Sequence, residues 1–207
     1  MFSIEGNIGS GKSTLLAHFK RGCTHLGGRP VVFVPEPVDK WENICDAEGT
    51  NMIELFYSNQ SKYGFAFQIM AFVTRYQLLE ATILQNPGAI IITERSLEAD
   101  RIFASMLHNS GKMSMIEYRI YTQLFDCFNR LESNGIIYLQ CSPETAHARY
   151  ISRNRHGEVI PLEYLRDCHE RHERWIPQTA LVLHGNGNID SLDAHVKQII
   201  EYVCLKL

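Results

Sequence analysis

The stretch that most constrains this chain is its first fourteen residues, Met1-Phe2-Ser3-Ile4-Glu5-Gly6-Asn7-Ile8-Gly9-Ser10-Gly11-Lys12-Ser13-Thr14. Phe2, Ser3 and Ile4 read as the end of a short buried strand, and Thr14-Leu15-Leu16 opens an amphipathic helix. Between them, Gly6-x4-Gly11-Lys12-Ser13 has the spacing of a phosphate-binding loop. Glycines let the backbone curl into a nest of inward N–H groups, and the following helix adds the positive end of its dipole. Lys12 then supplies a point charge to β- and γ-phosphates, and the Ser13 hydroxyl is placed for Mg²⁺. A glycine-rich turn that binds nothing has no need of strand, loop, lysine and helix in this order. The pattern implies a nucleoside triphosphate site built from Gly6, Asn7, Ile8, Gly9, Ser10, Gly11, Lys12, Ser13 and Thr14.

The helix is expected from Lys12 to about His25, ending at Gly27-Gly28. Val31–Val34 reads as a strand buried on both faces, stopped by Pro35-Glu36-Pro37. Two prolines hold Glu36 stiffly at the carboxyl end of a parallel strand, the edge where open α/β sheets bind ligands. A solvent-exposed loop glutamate is the competing reading. Val38 to Asn51 reads as irregular, with Trp41 as its anchor. Met52 to about Asn86 is helical with a break near Ser58-Asn59, and it places Gln68, Ala71 and Arg75 on one face, with Phe65, Phe72 and Leu79 on the stripe beside it.

Ala89–Thr93 is the next strand, and Glu94-Arg95-Ser96 ends it where many nucleotidases carry an aspartate for the metal. Helices follow over Leu97–His108 and Met113–Leu131, then a strand at Ile136–Leu139 and a capped helix start at Ser142-Pro143-Glu144. Arg149, Arg153 and Arg155, followed by His156-Gly157-Glu158, suit a lid over a triphosphate at about 149–160; a solvated charged helix is the alternative. Pro161 starts a helix to about Trp175, where His169 and His172 read as a solvated face rather than a metal site. Leu181–Leu183 closes the sheet and Leu192–Leu205 the chain. Strands alternating with helices predict one α/β domain: a five-stranded parallel sheet with helices on both faces.

A chain of 207 residues is enough for one such domain. Its net charge of −3 argues against a nucleic-acid partner. Six cysteines without a C-x-x-C pair suggest neither zinc nor a disulfide framework, and point to a reducing compartment. No apolar run reaches the ~20 residues of a membrane span. The chain enters its first strand at once, without a leader, so a cytoplasmic enzyme is expected.

Taken together the motifs resemble the deoxynucleoside kinases related to animal deoxycytidine and deoxyguanosine kinases, a P-loop kinase fold. The resemblance runs from Gly6 to about Trp175. It rests on Gly6–Thr14, Glu36-Pro37-Val38-Asp39-Lys40-Trp41, Phe65-Ala66-Phe67-Gln68, Glu94-Arg95-Ser96 and Ile160-Pro161-Leu162-Glu163-Tyr164-Leu165. It implies ATP or another triphosphate as donor, Mg²⁺ at Ser13 and Glu94, and a deoxynucleoside as acceptor. Glu36 is then the general base for the sugar 5′-hydroxyl, and Arg95, with Lys12, serves catalysis. Gln68 reads the nucleobase beside Trp41, while Tyr57 with Glu158 takes the 3′-hydroxyl. Arg75 and Asp100 match an Arg–Asp pair of the deoxycytidine and deoxyguanosine branch, with Ala71 on the same face. The chain is one residue shorter than its relatives between the lid arginines and Ile160. The resemblance further implies a homodimer through a helix bundle.

Competing classes fit less well. A nucleoside monophosphate kinase would set Glu36 against its acceptor's phosphate. A GTPase switch would need Asp-x-x-Gly and Asn-Lys-x-Asp. A catalytically idle module has no use for Lys12, Ser13, Glu36 and Arg95 together.

Overall fold

In the computed structural model, all residues except 129, 130, 132, 156–158 and 188 are described. Along the chain run β1 (Phe2–Glu5), α1 (Lys12–Gly22), β2 (His25–Leu26), β3 (Arg29–Val34), α2 (Val38–Glu42), α3 (Met52–Ser58), α4 (Gln60–Gln85) and β4 (Ile90–Glu94). Then come α5 (Leu97–Asn109), α6 (Met115–Phe128), β5 (Gly135–Gln140), α7 (Pro143–Arg153), α8 (Leu162–Trp175), β6 (Leu181–His184) and α9 (Leu192–Cys204).

The sheet order is β2-β3-β4-β1-β5-β6. The five expected strands are all present and run parallel to one another. β1 lies between β4 and β5, buried at every position, so its carboxyl end delivers the phosphate loop to the middle of the sheet's upper edge. One face packs Leu15 and Phe19 of α1 and Ile199 and Val203 of α9 against Phe2, Ile4, Ile92 and Ile137. The other packs Phe72, Leu79, Leu107, Tyr121 and Phe125 of α4, α5 and α6 against Val34 and Ile91.

Four expectations are revised. The first helix ends at Gly22, because Cys23 is extended and His25-Leu26 turns back onto Arg29-Pro30 as an added antiparallel strand. Gly27 and Gly28 make that turn with φ of 53° and 76°, the pair of positive values a two-residue hairpin loop needs. With only β2 beyond it, β3 is half-buried at Val31, Val32 and Phe33 rather than covered on both faces. The stretch expected to be irregular holds α2 and a bridge between Cys45 and Asn51. Asn51 then caps α3, its Oδ1 accepting from the amides of Ile53 and Glu54 at 3.0 Å each. The break before α4 falls at Asn59, which caps it through Lys62.

His172 is the fourth correction. It is fully buried rather than solvated, its Nδ1 2.6 Å from the Cys168 carbonyl oxygen. Among the described residues no group of three or more His, Cys, Asp or Glu side chains could hold a metal ion. Burial, aided by the Arg95 charge, pushes its pKa down to about 3. Unfolding exposes an imidazole of ordinary pKa near 6.5, so below that pH the unfolded chain takes up a proton that the folded chain refuses. Stability therefore falls as pH drops from about 6.5 toward 3, by up to about 1.4 kcal/mol per unit from this group. Urea unfolding at pH 7 and pH 5 checks this. The parent should lose about 2 kcal/mol more than His172→Phe over that interval; equal losses would exonerate His172.

Candidate active site

The loop after β1 is folded as a nest. Gly9 has φ 78°, and a Cβ there would lie 2.2 Å from the Ala146 carbonyl oxygen of α7, so only glycine fits. Asn7 braces the turn from beneath: its Oδ1 accepts from the Ile8 amide at 2.8 Å, and its Nδ2 donates to the Leu165 carbonyl of α8 at 2.8 Å. Lys12 is buried and donates to the Asn7 carbonyl at 2.8 Å. Burial and the nearby Arg95 lower its pKa to about 8, against the opposing pull of Glu94, Glu36 and Glu5. Ser13 Oγ donates to Glu94 Oε1 at 2.8 Å. Burial, reinforced by Glu36, pushes the Glu94 carboxyl up, against the opposing pull of Lys12, Ser13 and Arg95. A hydroxyl and one carboxylate beside a phosphate nest are the donors Mg²⁺ takes when phosphates and water complete its shell. Ser13 and Glu94 therefore fit that ion.

One cavity of about 640 Å³ runs from this loop to α4. It is lined by Glu36, Trp41, Tyr57, Gln68, Ala71, Arg75, Arg95 and Asp100, and by Arg149, Arg153 and Arg155 at its other wall. Residues drawn from five separate stretches of sequence thus share one space. Gly6, Asn7 and Ser10 do not line it; they form the floor beneath. Glu158 lies outside the described residues.

The polar centre is Glu36. Its Oε1 accepts from Arg75 Nη2 at 2.9 Å and faces Arg95 Nε at 3.1 Å. Burial alone would raise this carboxyl, but Arg75, Arg95 and Lys12 outweigh it and hold the pKa at about 2. Arg75, 3% exposed, also reaches Asp100 Oδ2 through Nε at 3.0 Å and the Glu94 carbonyl through Nη1 at 3.2 Å. Burial lowers the pKa of Arg75, yet Asp100 and Glu36 together raise it above its ordinary value, so it stays charged. Gln68 donates from Nε2 to the Asp100 main-chain carbonyl at 3.0 Å, which orients its amide. Trp41 is fixed by Nε1 donating to Thr74 at 2.8 Å.

Arg95 sits just past β4 with φ 65°, a left-handed conformation costing a non-glycine residue about 1–2 kcal/mol. Its guanidinium lies over the Phe103 ring at 4.9 Å, and its Nη1 is buried without a partner among the described residues. That idle donor, next to Glu36, is suited to a substrate oxygen. Strain at one residue of a cavity is characteristic of a working site.

Arg149 departs from the picture of a free lid arginine. It donates through Nη1 to the Ser10 carbonyl at 3.1 Å and the Gly185 carbonyl at 2.7 Å, and through Nη2 to Gly187 at 2.7 Å. It fastens α7 to the phosphate loop and to the turn after β6. Sequence reasoning named Trp41 in the aromatic wall but missed Phe67 and Phe103. Phe67 stacks on Phe56 at 4.3 Å and meets Trp41 edge-on at 5.7 Å, and its place beside Gln68 was the available signal. Phe103 was signalled by its i+3 offset from Asp100.

A nest shaped for a polyphosphate, facing across one cavity a carboxylate held ionised by two guanidiniums, fits a P-loop kinase fold. The family model described as deoxynucleoside kinase matches residues 2–206, and the chain belongs to that family. It is 36% identical to human deoxycytidine kinase over 197 residues, covering 84% of this chain and 74% of that protein. Human mitochondrial thymidine kinase 2 is 33% identical over 209 residues, covering 96% and 72%. The fowlpox virus (strain NVSL) protein named "Probable deoxycytidine kinase" is 33% identical over 207 residues, covering 95% and 82%. The chain is thus a nucleoside kinase, a transferase taking its phosphoryl group from a nucleoside triphosphate.

Proposed function

We propose that this enzyme transfers the γ-phosphoryl group of ATP, or another nucleoside triphosphate, to the 5′-hydroxyl of deoxycytidine, deoxyadenosine or deoxyguanosine, and accepts thymidine poorly. Similarity to kinases named for deoxycytidine and for thymidine leaves the base open. The observation that carries the preference is the buried Arg75–Asp100 pair at the cavity wall beside Gln68. It offers a donor–acceptor edge to cytosine or a purine and crowds the 5-methyl of thymine.

The contacts around Glu36 and the phosphate loop support this assignment of roles, and the family resemblance supplies those of Tyr57 and Glu158. Glu36 accepts the 5′-hydroxyl proton while Arg75 and Arg95 hold its carboxylate in one orientation. Lys12 and the loop amides hold the triphosphate, with Arg153 and Arg155 on the wall that faces it and Arg149 securing the loop. Mg²⁺ at Ser13 and Glu94 would neutralise charge on the transferring phosphates. Tyr57 takes the 3′-hydroxyl, with Glu158 as its carboxylate partner. Phosphoryl transfer passes through a loose transition state, so positioning and charge neutralisation supply most of the catalysis.

A coupled ADP-release assay with each deoxynucleoside, each monophosphate and no acceptor tests the reading. Turnover with deoxycytidine or a purine deoxynucleoside should exceed that with thymidine by about tenfold or more. A preference for monophosphates or for thymidine would overturn it.

We also propose a two-fold dimer. Met115, Ile116, Ile120 and Phe128 of α6 are exposed, an apolar stripe larger than a lone surface helix carries, with Leu84 of α4 exposed as well. Light scattering at micromolar concentration should give twice the chain mass, and Ile116→Glu with Ile120→Glu should return it to one. A monomeric parent would refute the dimer. Among the described residues no helix is long and apolar enough to cross a membrane. The six free cysteines suit a reducing compartment such as the cytoplasm.

A further inference from the structure

Glu5 has no part in the roles above, yet it is a carboxylate with 0% exposure at the last position of β1, one residue before the phosphate loop. Its Oε1 accepts from the Ser96 amide at 2.8 Å, and its Oε2 is buried without a partner among the described residues. The preceding amide, that of Arg95, donates to the Ile4 carbonyl at 3.0 Å. Two successive amides of the turn after β4 are therefore tied to two successive residues of β1, one through main chain and one through the Glu5 side chain. The residue between these ties and the cavity is Arg95, held at φ 65° with its Nε 3.1 Å from Glu36 Oε1.

We infer that Glu5 is a positioning residue: by fixing the Ser96 amide it holds the left-handed Arg95 turn, and through it the guanidinium that orients Glu36. A left-handed arginine relaxes toward ordinary backbone once one of its flanking ties is cut, and a displacement of the order of 1 Å at a reacting group is enough to cost ~10²-fold in rate. The Ser96 hydroxyl, 3.4 Å from the Ala99 amide, caps α5 from the same residue, so the turn also sets where α5 begins. That helix carries Asp100 and Phe103, which touch Arg75 and Arg95.

The inference rests on the proposed part of Arg95 and Glu36, and the test separates the two. Glu5→Gln keeps an oxygen at the reach of Glu5 but loses the charge; Glu5→Asp keeps the charge but is one methylene too short for the Ser96 amide. Each is made in the parent and in an Arg95→Ala background, with kcat, acceptor KM and thermal unfolding measured. Glu5→Gln should stay within about fivefold of parental kcat. Glu5→Asp should lose about 30-fold in kcat with acceptor KM moved less than about threefold. In the Arg95→Ala background, Glu5→Asp should cost less than about twofold more. Glu5→Asp outperforming Glu5→Gln, or costing as much without Arg95 as with it, would overturn the inference. If Glu5→Asp does not fold, Glu5→Gln decides: a loss above about tenfold in the parent is equally fatal. Arg95→Ala that is itself as active as the parent would instead refute the role given to Arg95.

Discussion

Glu36→Gln should lower kcat by about two orders of magnitude or more while acceptor affinity, measured by calorimetry, moves little. The amide oxygen can still accept from Arg75 and Arg95, whose nitrogens lie 2.9 Å and 3.1 Å from Glu36 Oε1, so the shape of the pocket survives. What disappears is a group able to take a proton. A carboxyl with pKa held near 2 is a weak base, and that sets the expected pH profile. Glu36 stays ionised through the neutral and mildly acidic range, so it contributes no acid limb to kcat/KM above about pH 4. The weakness is tolerable because in a loose transition state the acceptor proton leaves late, after the bond to phosphorus has begun to form. Activity within a few-fold of the parent would remove Glu36 from the mechanism.

The parts of this site legible in the sequence are those fixed by local covalent logic. A glycine nest and its lysine announce themselves because no other residues allow the backbone that curves around phosphate. Pro35 and Pro37 mark Glu36 as rigid before any fold is known, and a helical period puts Gln68, Ala71 and Arg75 side by side. What was not legible depends on where separate elements cross. That Arg75 clamps Glu36 as well as Asp100 follows from the packing of α4 against the ends of β3 and β4, and no spacing encodes it. Arg149 looks like any exposed helix arginine until the turn after β6 brings two carbonyls to it. His172 was misread because its polar neighbours in sequence point away from the face that α8 buries. The hairpin at Gly27-Gly28 was read as a helix stop, since both uses of glycine need positive φ and only the pairing partner distinguishes them.

Arg75→Met combined with Asp100→Ala should shift the ratio of kcat/KM for thymidine over deoxycytidine upward by about 100-fold. Both changes are needed. Arg75→Met alone leaves Asp100, 2% exposed, as an uncompensated buried carboxylate, and breaking such a pair by one partner costs about 3–5 kcal/mol. Asp100→Ala alone leaves the arginine in place, held by Glu36 and still filling the space the 5-methyl needs. Replacing the pair by apolar side chains avoids both penalties and leaves Ala71 beside the new room. Gln68 keeps its orientation, because it donates to the main-chain carbonyl of Asp100, which alanine retains. The ratio, rather than either rate, is the proper readout. Arg75 also steadies Glu36, so losing it should depress turnover for every acceptor, and only the base-dependent part reports on selection. A double variant with an unchanged acceptor ranking would show the pair to be a structural salt bridge, with base choice resting on Gln68 and the aromatic wall of Trp41 and Phe67.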